Sequence, residues 1–483
     1  MAFARILRSS ALMGGASVLV LLAGFFRTKA IALMVGPEGV GLAGTLVNFN
    51  TIFAMAAGWG LATAGVRTVA AAPPAERAAK MAAVRWLGVR LSWLGLAAMA
   101  MLFWPIGLFT FRPDERHILE LGLAGLAVPF LVAAGMWGAL LQAGGHLRVL
   151  ATTQVLSAFA GIAIGLPLVF VFHRAGHSLF GVALGILVAT GSPALLSWWS
   201  ARKHCPPAPG TEADPALVRE LVRLGGALMV VGLLFQVSQY VGRWVVLREF
   251  GLEAAGHYQA ALAIASSLPG FVFAAMATDF FPRVAAARDE QEANHLVEKQ
   301  IQAGLLLALP LLAALLTMGR VCIHWLYATT QFEPAIPLLS WMVWGVFLRL
   351  VSWPMGFCLQ ARGSSRVVLV VELVANLILA LLPLALVGPL GLRGAAIAFT
   401  AGGFAYAILM VFVMRWRTGQ GLSGLTCLWV SLSAAALGFS QWSVSKAEGD
   451  FWGLIPTGLI ALACAWVYFD VMRRETRQAP SQP

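Results

Sequence analysis

Charged residues are scarce in this chain, and their scarcity decides its class. Asp, Glu, Lys and Arg make up 11% of the 483 residues, whereas 60% are hydrophobic. Soluble domains carry roughly 25% charged residues, so the composition excludes an ordinary soluble globule. A helix needs about 20 apolar residues to cross the hydrocarbon core of a bilayer. We therefore expect an all-α polytopic membrane protein.

Cysteine and the usual catalytic motifs are also rare or absent. The five cysteines, at 205, 322, 358, 427 and 464, form no close pairs, which argues against a disulfide framework and against a metal site. The sequence contains no phosphate-binding loop, no HExxH motif and no DxD-like cluster, and the longest polar stretches are 202–224 and 283–299. We therefore expect a protein that is not an enzyme and has no cofactor.

Apolar runs between charged or Pro/Gly-rich breaks predict about fourteen transmembrane helices. Six lie near 9–35, 39–70, 83–110, 118–143, 149–172 and 177–201, six more near 219–247, 255–282, 298–326, 335–360, 366–388 and 392–415, and two near 423–443 and 451–470. The predicted domains are an N-terminal six-helix lobe (1–201), a cytoplasmic linker (202–218), a C-terminal six-helix lobe (219–416), and two additional helices with a cytoplasmic tail (417–483).

The two predicted lobes are related by an internal repeat. Alignment places Arg27 opposite Arg243 and, after a one-residue slip, the segment 36–41 (GPEGVG) opposite 251–256 (GLEAAG). The segments 141–149 (LQAGGHLRV) and 359–367 (LQARGSSRV) match at six of nine positions. Several matches at one spacing indicate duplication. We expect two six-helix bundles around a central cavity.

The loops predict the orientation of the chain. If the N-terminus is inside, most Lys and Arg residues outside the spans fall in cytoplasmic loops, as the positive-inside rule requires. Both termini are then cytoplasmic, and the net charge of +12 faces the anionic inner leaflet. Binding to nucleic acid is not needed to explain this charge.

The clear cases of cations inside predicted spans are Arg27, Lys29, Arg243 and Arg349. A charge at the centre of a span costs roughly 2.5–3.5 kcal/mol on insertion scales, so such residues usually face a bundle interior or a wet cavity. The other interpretation is a cation that reaches the interface or pairs with a neighbour. Either role is open for each of the four.

Further polar residues in the spans extend this pattern. Gln236, Gln239, Tyr240 and Arg243 recur at helical spacing and form one polar stripe. This stripe, like Asn48 in the second helix, either lines a cavity or joins helices. Of the two intramembrane acids singled out, Glu372 is a candidate for proton or ion coupling or a partner for a buried arginine. Asp279 is a second coupling candidate or an intrahelical partner of Arg283. Together these residues predict a wet, cationic interior suited to an anionic, hydrogen-bonding cargo.

The stretch from Arg27 to Gly44 (RTKAIALMVGPEGVGLAG), followed by Asn48, resembles the first-helix signature of bacterial O-antigen translocases. These are lipid-linked oligosaccharide flippases of the polysaccharide transporter family, in the superfamily that includes the multidrug and toxin extruders. The resemblance implies an inner-membrane protein that moves an undecaprenyl-diphosphate-linked glycan from the cytoplasmic to the periplasmic leaflet by alternating access. It also implies other polysaccharide-assembly proteins as partners, and we expect a monomer. Members often have twelve spans, so the last two helices depart from the pattern.

Three alternatives are open at this point. One is a flippase of the peptidoglycan lipid precursor, since that cargo also bears a diphosphate. A multidrug or cation antiporter of the same superfamily would need a carboxylate in the first bundle, where Arg27 and Lys29 are found instead. A membrane-embedded O-antigen polymerase or ligase would need a long charged periplasmic loop, and the predicted outer loops are short.

Overall fold

The computed structural model describes residues 2–113, 117–206, 213–363, 365–419, 421–446 and 455–467, and within them the secondary structure is helical. The first helices are α1 (Ala2–Ala57), α2 (Leu61–Ala70), α3 (Pro74–Thr110), α4 (Ile118–Gly125), α5 (Val128–Ala143), α6 (Leu147–Ala163), α7 (Gly165–Arg174) and α8 (Ser178–His204). They are followed by α9 (Pro215–Ala285), α10 (Glu290–Thr317), α11 (Gly319–Tyr327), a 3₁₀ turn (Thr330–Phe332), α12 (Ala335–Arg362), α13 (Ser365–Leu390), α14 (Leu392–Thr418), α15 (Gly424–Lys446) and α16 (Ile455–Val467).

The predicted all-α polytopic membrane fold is confirmed. Eleven helical stretches in the described part of the chain are long and apolar enough to cross a membrane, with α4 and α5 counted as one stretch and α6 and α7 as another; the shorter α16 is also apolar. Two of the eleven, α1 and α9, each contain two helices joined at a bend. Counted on either side of those bends and together with α16, the described helices reach the predicted fourteen.

The two bends lie at glycines that the internal repeat aligns. Gly36 has φ 75° and ψ −161° within α1, and Gly251 has φ 84° and ψ −173° within α9. This region of backbone space is open almost only to glycine. Because the same rare conformation occurs at both aligned positions, the structure supports the duplication that the sequence predicted.

Several spans predicted as continuous are interrupted. The helix predicted at 39–70 ends at Ala57 and restarts at Leu61, because Trp59 and Gly60 both have positive φ, 49° and 65°. This turn packs on the backbone of α9: Trp59 Nε1 donates to Val222 O at 2.9 Å. The helices predicted at 118–143, 149–172 and 298–326 are also interrupted, near 126–127, 164 and 318, where φ stays negative. Apolar composition continues through each break, so hydropathy alone does not detect it.

The chain packs into two compact units. The first contains residues 1–256 with 326–329, and the second contains 257–325 with 330–483. The core of the first unit joins α2, α3 and α5 to the start of α9, through buried residues that include Leu61, Val84, Met136 and Leu221. In the second unit α12 is the most buried helix and packs against α10 and α14.

Candidate functional site

Arg27 lies on the first half of α1, in the apolar helix of the first unit. Its side chain is partly buried, and Nη1 lies near Gly161 of α6, where a Cβ atom would be 3.9 Å from it. Within the described residues we find neither a hydrogen-bond acceptor nor an acidic partner for this guanidinium. Lys29 is partly buried on the same helix.

Arg243 and Asn48, both predicted site residues, contact each other within the first unit. Arg243 is 4% exposed and donates from Nη1 to the carbonyl oxygen of Gly44 at 2.6 Å. With the Asn48 amide oriented so that its oxygen faces the guanidinium, it accepts from Nη2 at 3.1 Å and from Nη1. An amide orientation is assigned from its hydrogen bonds. These contacts join α9 to the second half of α1.

The rest of the polar stripe on α9 leads toward the end of α3. Tyr240 donates to Thr110 Oγ1 at 3.4 Å, and Trp244 Nε1 donates to Phe109 O at 3.1 Å. The rings of Trp244 and Phe109 stack at 4.8 Å between centroids. Gln236 and Gln239 are partly buried along the same helix.

Beyond the stripe, the two glycine bends approach each other within the first unit. A Cβ atom on Gly41 would lie 2.2 Å from Leu252 O and 2.8 Å from Gly256 N. A Cβ atom on Gly256 would lie 2.0 Å from Pro37 O. The repeat aligns 37 with 252 and 41 with 256. The contact is therefore reciprocal: Gly41 of the first repeat meets Leu252 of the second, and Gly256 of the second meets Pro37 of the first.

The second unit contains a polar cluster formed by α12, α13 and α14. The Glu372 carboxylate lies near the side chains of Gln360, Asn376 and Tyr406 and near the Arg349 guanidinium. Asn376 Nδ2 is 3.5 Å from Glu372 Oε2 and donates at 2.8 Å to Glu372 O. Two predicted site residues, Arg349 and Glu372, are thus brought together.

Not every predicted residue can be placed, and some partners were not predicted. The side chain of Asp279 lies outside the described residues. Sequence reasoning missed Tyr406 and Gln360. The signal for Tyr406 was available, since the chain has only five tyrosines and a tyrosine inside a lipid-facing bundle needs a partner for its hydroxyl. In the described part of the chain, no group of three or more His, Cys, Asp or Glu residues could hold a metal ion.

The amino-acid sequence is similar to those of known proteins. Residues 6–288 match a family model described as polysaccharide biosynthesis protein. A Shigella flexneri protein named "Putative O-antigen transporter" is 24% identical over 302 residues, 62% of this chain and 69% of that protein. The "Lipid III flippase" of Escherichia coli (strain K12) is 23% identical over 426 residues, 85% of this chain and 99% of that protein.

Solved structures show the same fold. The lipid II flippase MurJ in an inward closed conformation has a TM-score of 0.74 at 14% identity, over 97% of this chain and 100% of that one. An inward-facing multidrug resistance MATE family transporter of the MOP superfamily has a TM-score of 0.63 at 16% identity, over 86% of this chain and 96% of that one. At these identities the likeness concerns the fold alone. The family model, in contrast, matches more than half of the sequence, and the chain belongs to the polysaccharide biosynthesis protein family.

Proposed function

We propose that this protein flips an undecaprenyl-diphosphate-linked oligosaccharide, an O-antigen unit or related surface glycan, from the cytoplasmic to the periplasmic leaflet. Membership of the polysaccharide biosynthesis family supports a role in glycan assembly. Two sequence relatives are named for O-antigen transport and for lipid III flipping. The first-helix segment from Arg27 to Gly44 favours an O-antigen-type cargo over the peptidoglycan precursor.

The observation that carries the proposal is the partly buried Arg27, which has no acceptor among the described residues. A guanidinium presents a planar fork of N–H donors that matches phosphate oxygens. An unpaired cation within an apolar span is costly unless water or a ligand solvates it. Arg27 is therefore our first candidate for the group that holds the diphosphate while the lipid tail stays in the bilayer.

Membrane potential supplies part of the driving force in this scheme. A diphosphate diester carries about two negative charges, and each charge that crosses the membrane is worth about 2.3 kcal/mol per 100 mV. With the inside negative, outward movement gains roughly 4–5 kcal/mol per 100 mV. Arg27 then needs to bind the diphosphate with only moderate affinity, because turnover requires release of the cargo.

Arg243 and Asn48 have a second role in this proposal. Their mutual contact and the bond from Arg243 to Gly44 hold α9 against α1. If Arg243 also contacts cargo, it must exchange these bonds for bonds to phosphate. Lys29, Gln236, Gln239 and Tyr240 remain proposed as cavity residues that contribute hydrogen bonds.

Glu372 is proposed to couple an ion or a proton to transport through Arg349. While Glu372 is ionised, its charge offsets that of Arg349. Protonation would remove this counter-charge and leave the guanidinium able to attract an anionic cargo. Asp279 remains a second proposed coupling residue. We further propose an inner-membrane monomer with both termini cytoplasmic, working beside other polysaccharide-assembly proteins.

The test is the distribution of lipid-linked glycan between leaflets in cells depleted of the protein, measured by labelling from the periplasmic side. We expect intermediates to accumulate on the cytoplasmic side while surface polysaccharide falls, and their mass identifies the glycan. Glycan that reaches the periplasm but stays unpolymerised would instead support a polymerase or ligase. Unchanged lipid-linked pools would refute the flippase proposal and favour drug export.

The residue-level test uses Arg27→Met, with Arg27→Lys and Arg174→Met as comparisons. Arg174 is an exposed cation at the end of α7, so its removal changes net charge equally. We expect Arg27→Met to lose most transport, Arg27→Lys to keep a part of it, and Arg174→Met to behave as the parent. Normal transport by a stably folded Arg27→Met protein would exclude Arg27 from cargo binding.

A further inference from the structure

Two arginines of the first unit stack on exposed tryptophans of their own helices. Arg90 Cζ lies 3.4 Å from the ring centroid of Trp86 on α3, and Arg202 Cζ lies 4.2 Å from that of Trp198 on α8. Trp86 is 41% exposed and Trp198 37%. Both guanidiniums are also exposed, so their N–H edges are accessible to a ligand.

The two stacks lie at similar depth along their helices. Arg85 Nη2 donates to the carbonyl oxygen of Cys205, so these two points of α3 and α8 lie within the reach of one arginine side chain. Arg90 is five residues from Arg85, and Arg202 is three residues from Cys205. At 1.5 Å per residue the two axial rises, counted toward the apolar run of each helix, differ by only about 3 Å.

That level is the edge of the apolar part of each helix. Residues 91–110 after Arg90 and residues 178–201 before Arg202 contain no Asp, Glu, Lys or Arg. A run of this length spans the hydrocarbon core, and tryptophan prefers the headgroup region at its margin. The stacked arginines therefore lie where lipid phosphates lie.

The charge of the chain segments that carry the stacks and lie next to them is almost entirely positive. We define the basic corner as residues 74–91, 143–152 and 198–206 of the first unit. Its only acidic residue is Glu76, whose carboxylate pairs with Lys80 at 3.2 Å. Its cations are Arg77, Lys80, Arg85, Arg90, Arg148, Arg202 and Lys203.

We propose that the basic corner binds the headgroup of an anionic phospholipid at the Arg90–Trp86 and Arg202–Trp198 stacks. Stacking on the indole holds each guanidinium flat and leaves its edge to bond phosphate oxygens in pairs. The indoles pack against the glycerol and upper acyl region. A lipid fits better than an acidic protein, because uncharged helix surface begins directly beside both stacks.

The experiment titrates the purified full-length protein in neutral detergent with phosphatidylglycerol or phosphatidylcholine and counts bound lipids by native mass spectrometry. A cation near a membrane surface contributes about fivefold in affinity for anionic lipid. We expect the double variant R90Q/R202Q to weaken phosphatidylglycerol binding by about 25-fold, with phosphatidylcholine binding unchanged. R174Q is the matched control, since Arg174 is 4.9 Å from the Phe170 ring but outside the basic corner.

A second variant separates the stacks from charge alone. R90K/R202K keeps both charges but loses the planar fork, and we expect it to bind phosphatidylglycerol several-fold more weakly than the parent. Parental binding by R90K/R202K would show simple charge attraction and overturn the proposed stacks. Parental binding by R90Q/R202Q, or equal binding of both lipids by the parent, would overturn the site altogether. A protein that binds an acidic peptide but not phosphatidylglycerol would point to a protein partner and refute the lipid.

Discussion

Replacing Gly256 with alanine tests the reciprocal contact between the two glycine bends. The new methyl group would be 2.0 Å from Pro37 O and 2.7 Å from Pro37 C. Real Cβ atoms essentially never come within 3.0 Å of such neighbours, so α9 must move away from α1 by at least about 1 Å. The obstacle is backbone, which cannot change rotamer.

The cost follows from overpacking. Forcing extra methyl groups into a packed interior costs typically about 1–3 kcal/mol, and we expect the upper part of that range against backbone. Gly41→Ala should cost a similar amount, because its Cβ would meet Leu252 O at 2.2 Å and Gly256 N at 2.8 Å. For a unit of this size, a loss of about 2–3 kcal/mol corresponds to a fall in melting temperature of about 4–12 °C.

The assay is the midpoint of heat-induced aggregation of purified protein in mild detergent, with scan rate fixed because such unfolding is often irreversible. Gly24→Ala on α1 is the control, since nothing lies within 4 Å of its added methyl group. Alanine is the better helix former by about 1 kcal/mol, so the control should melt at or above the parent. If Gly41→Ala and Gly256→Ala have the same melting temperature as Gly24→Ala, the close approach of the bends is refuted.

Three further predictions concern side chains. Arg243→Met should lower thermal stability and transport together, because it removes the bond to Gly44 and the contact with Asn48; loss of transport at parental stability would argue against a helix-joining role. Glu372→Gln and Arg349→Met should show a coupling energy of about 0.5–3 kcal/mol in a double-mutant cycle of unfolding, and additive effects would show that the two charges do not interact. Burial raises the pKa of the Cys205 thiol, an effect that the nearby Arg85 only partly offsets. Maleimide should therefore label Cys205 more slowly than the exposed Cys427 at pH 7, and the difference should narrow as the pH rises; equal rates at pH 7 would contradict the burial of Cys205.

The fold was predictable because it depends on patterns that are local in sequence. Apolar runs predict spans directly, and the bend in each repeat follows from the aligned glycines Gly36 and Gly251, whose backbone conformation other residues rarely adopt. The break at Trp59 was not predictable from hydropathy. It depends on a bond from the indole to Val222, 163 residues later in the chain.

The candidate site was predictable only as a set of residue types. A polar or charged side chain inside an apolar span is unusual because placing it in the bilayer costs free energy. This rarity singles out Arg243, Asn48, Arg349 and Glu372 in the sequence. Which of these residues contact each other was not predictable, because the sequence does not show how neighbouring helices are rotated and shifted against each other. The predicted stripe on α9 proved to be engaged at two points, by Asn48 and by Thr110.

The partners of the buried cations distinguish their roles. Arg243 bonds a backbone carbonyl and an amide, and Arg349 lies near the Glu372 carboxylate, so each of these buried charges has a partner within the protein that offsets part of the cost of its burial. Arg27 has no such acceptor among the described residues. Under the proposed function, water would solvate the Arg27 guanidinium when cargo is absent, and a phosphate could exchange with this water at little cost. A cation solvated by exchangeable water would then meet the two demands of transport, capture and release, better than a cation already bonded to its own protein.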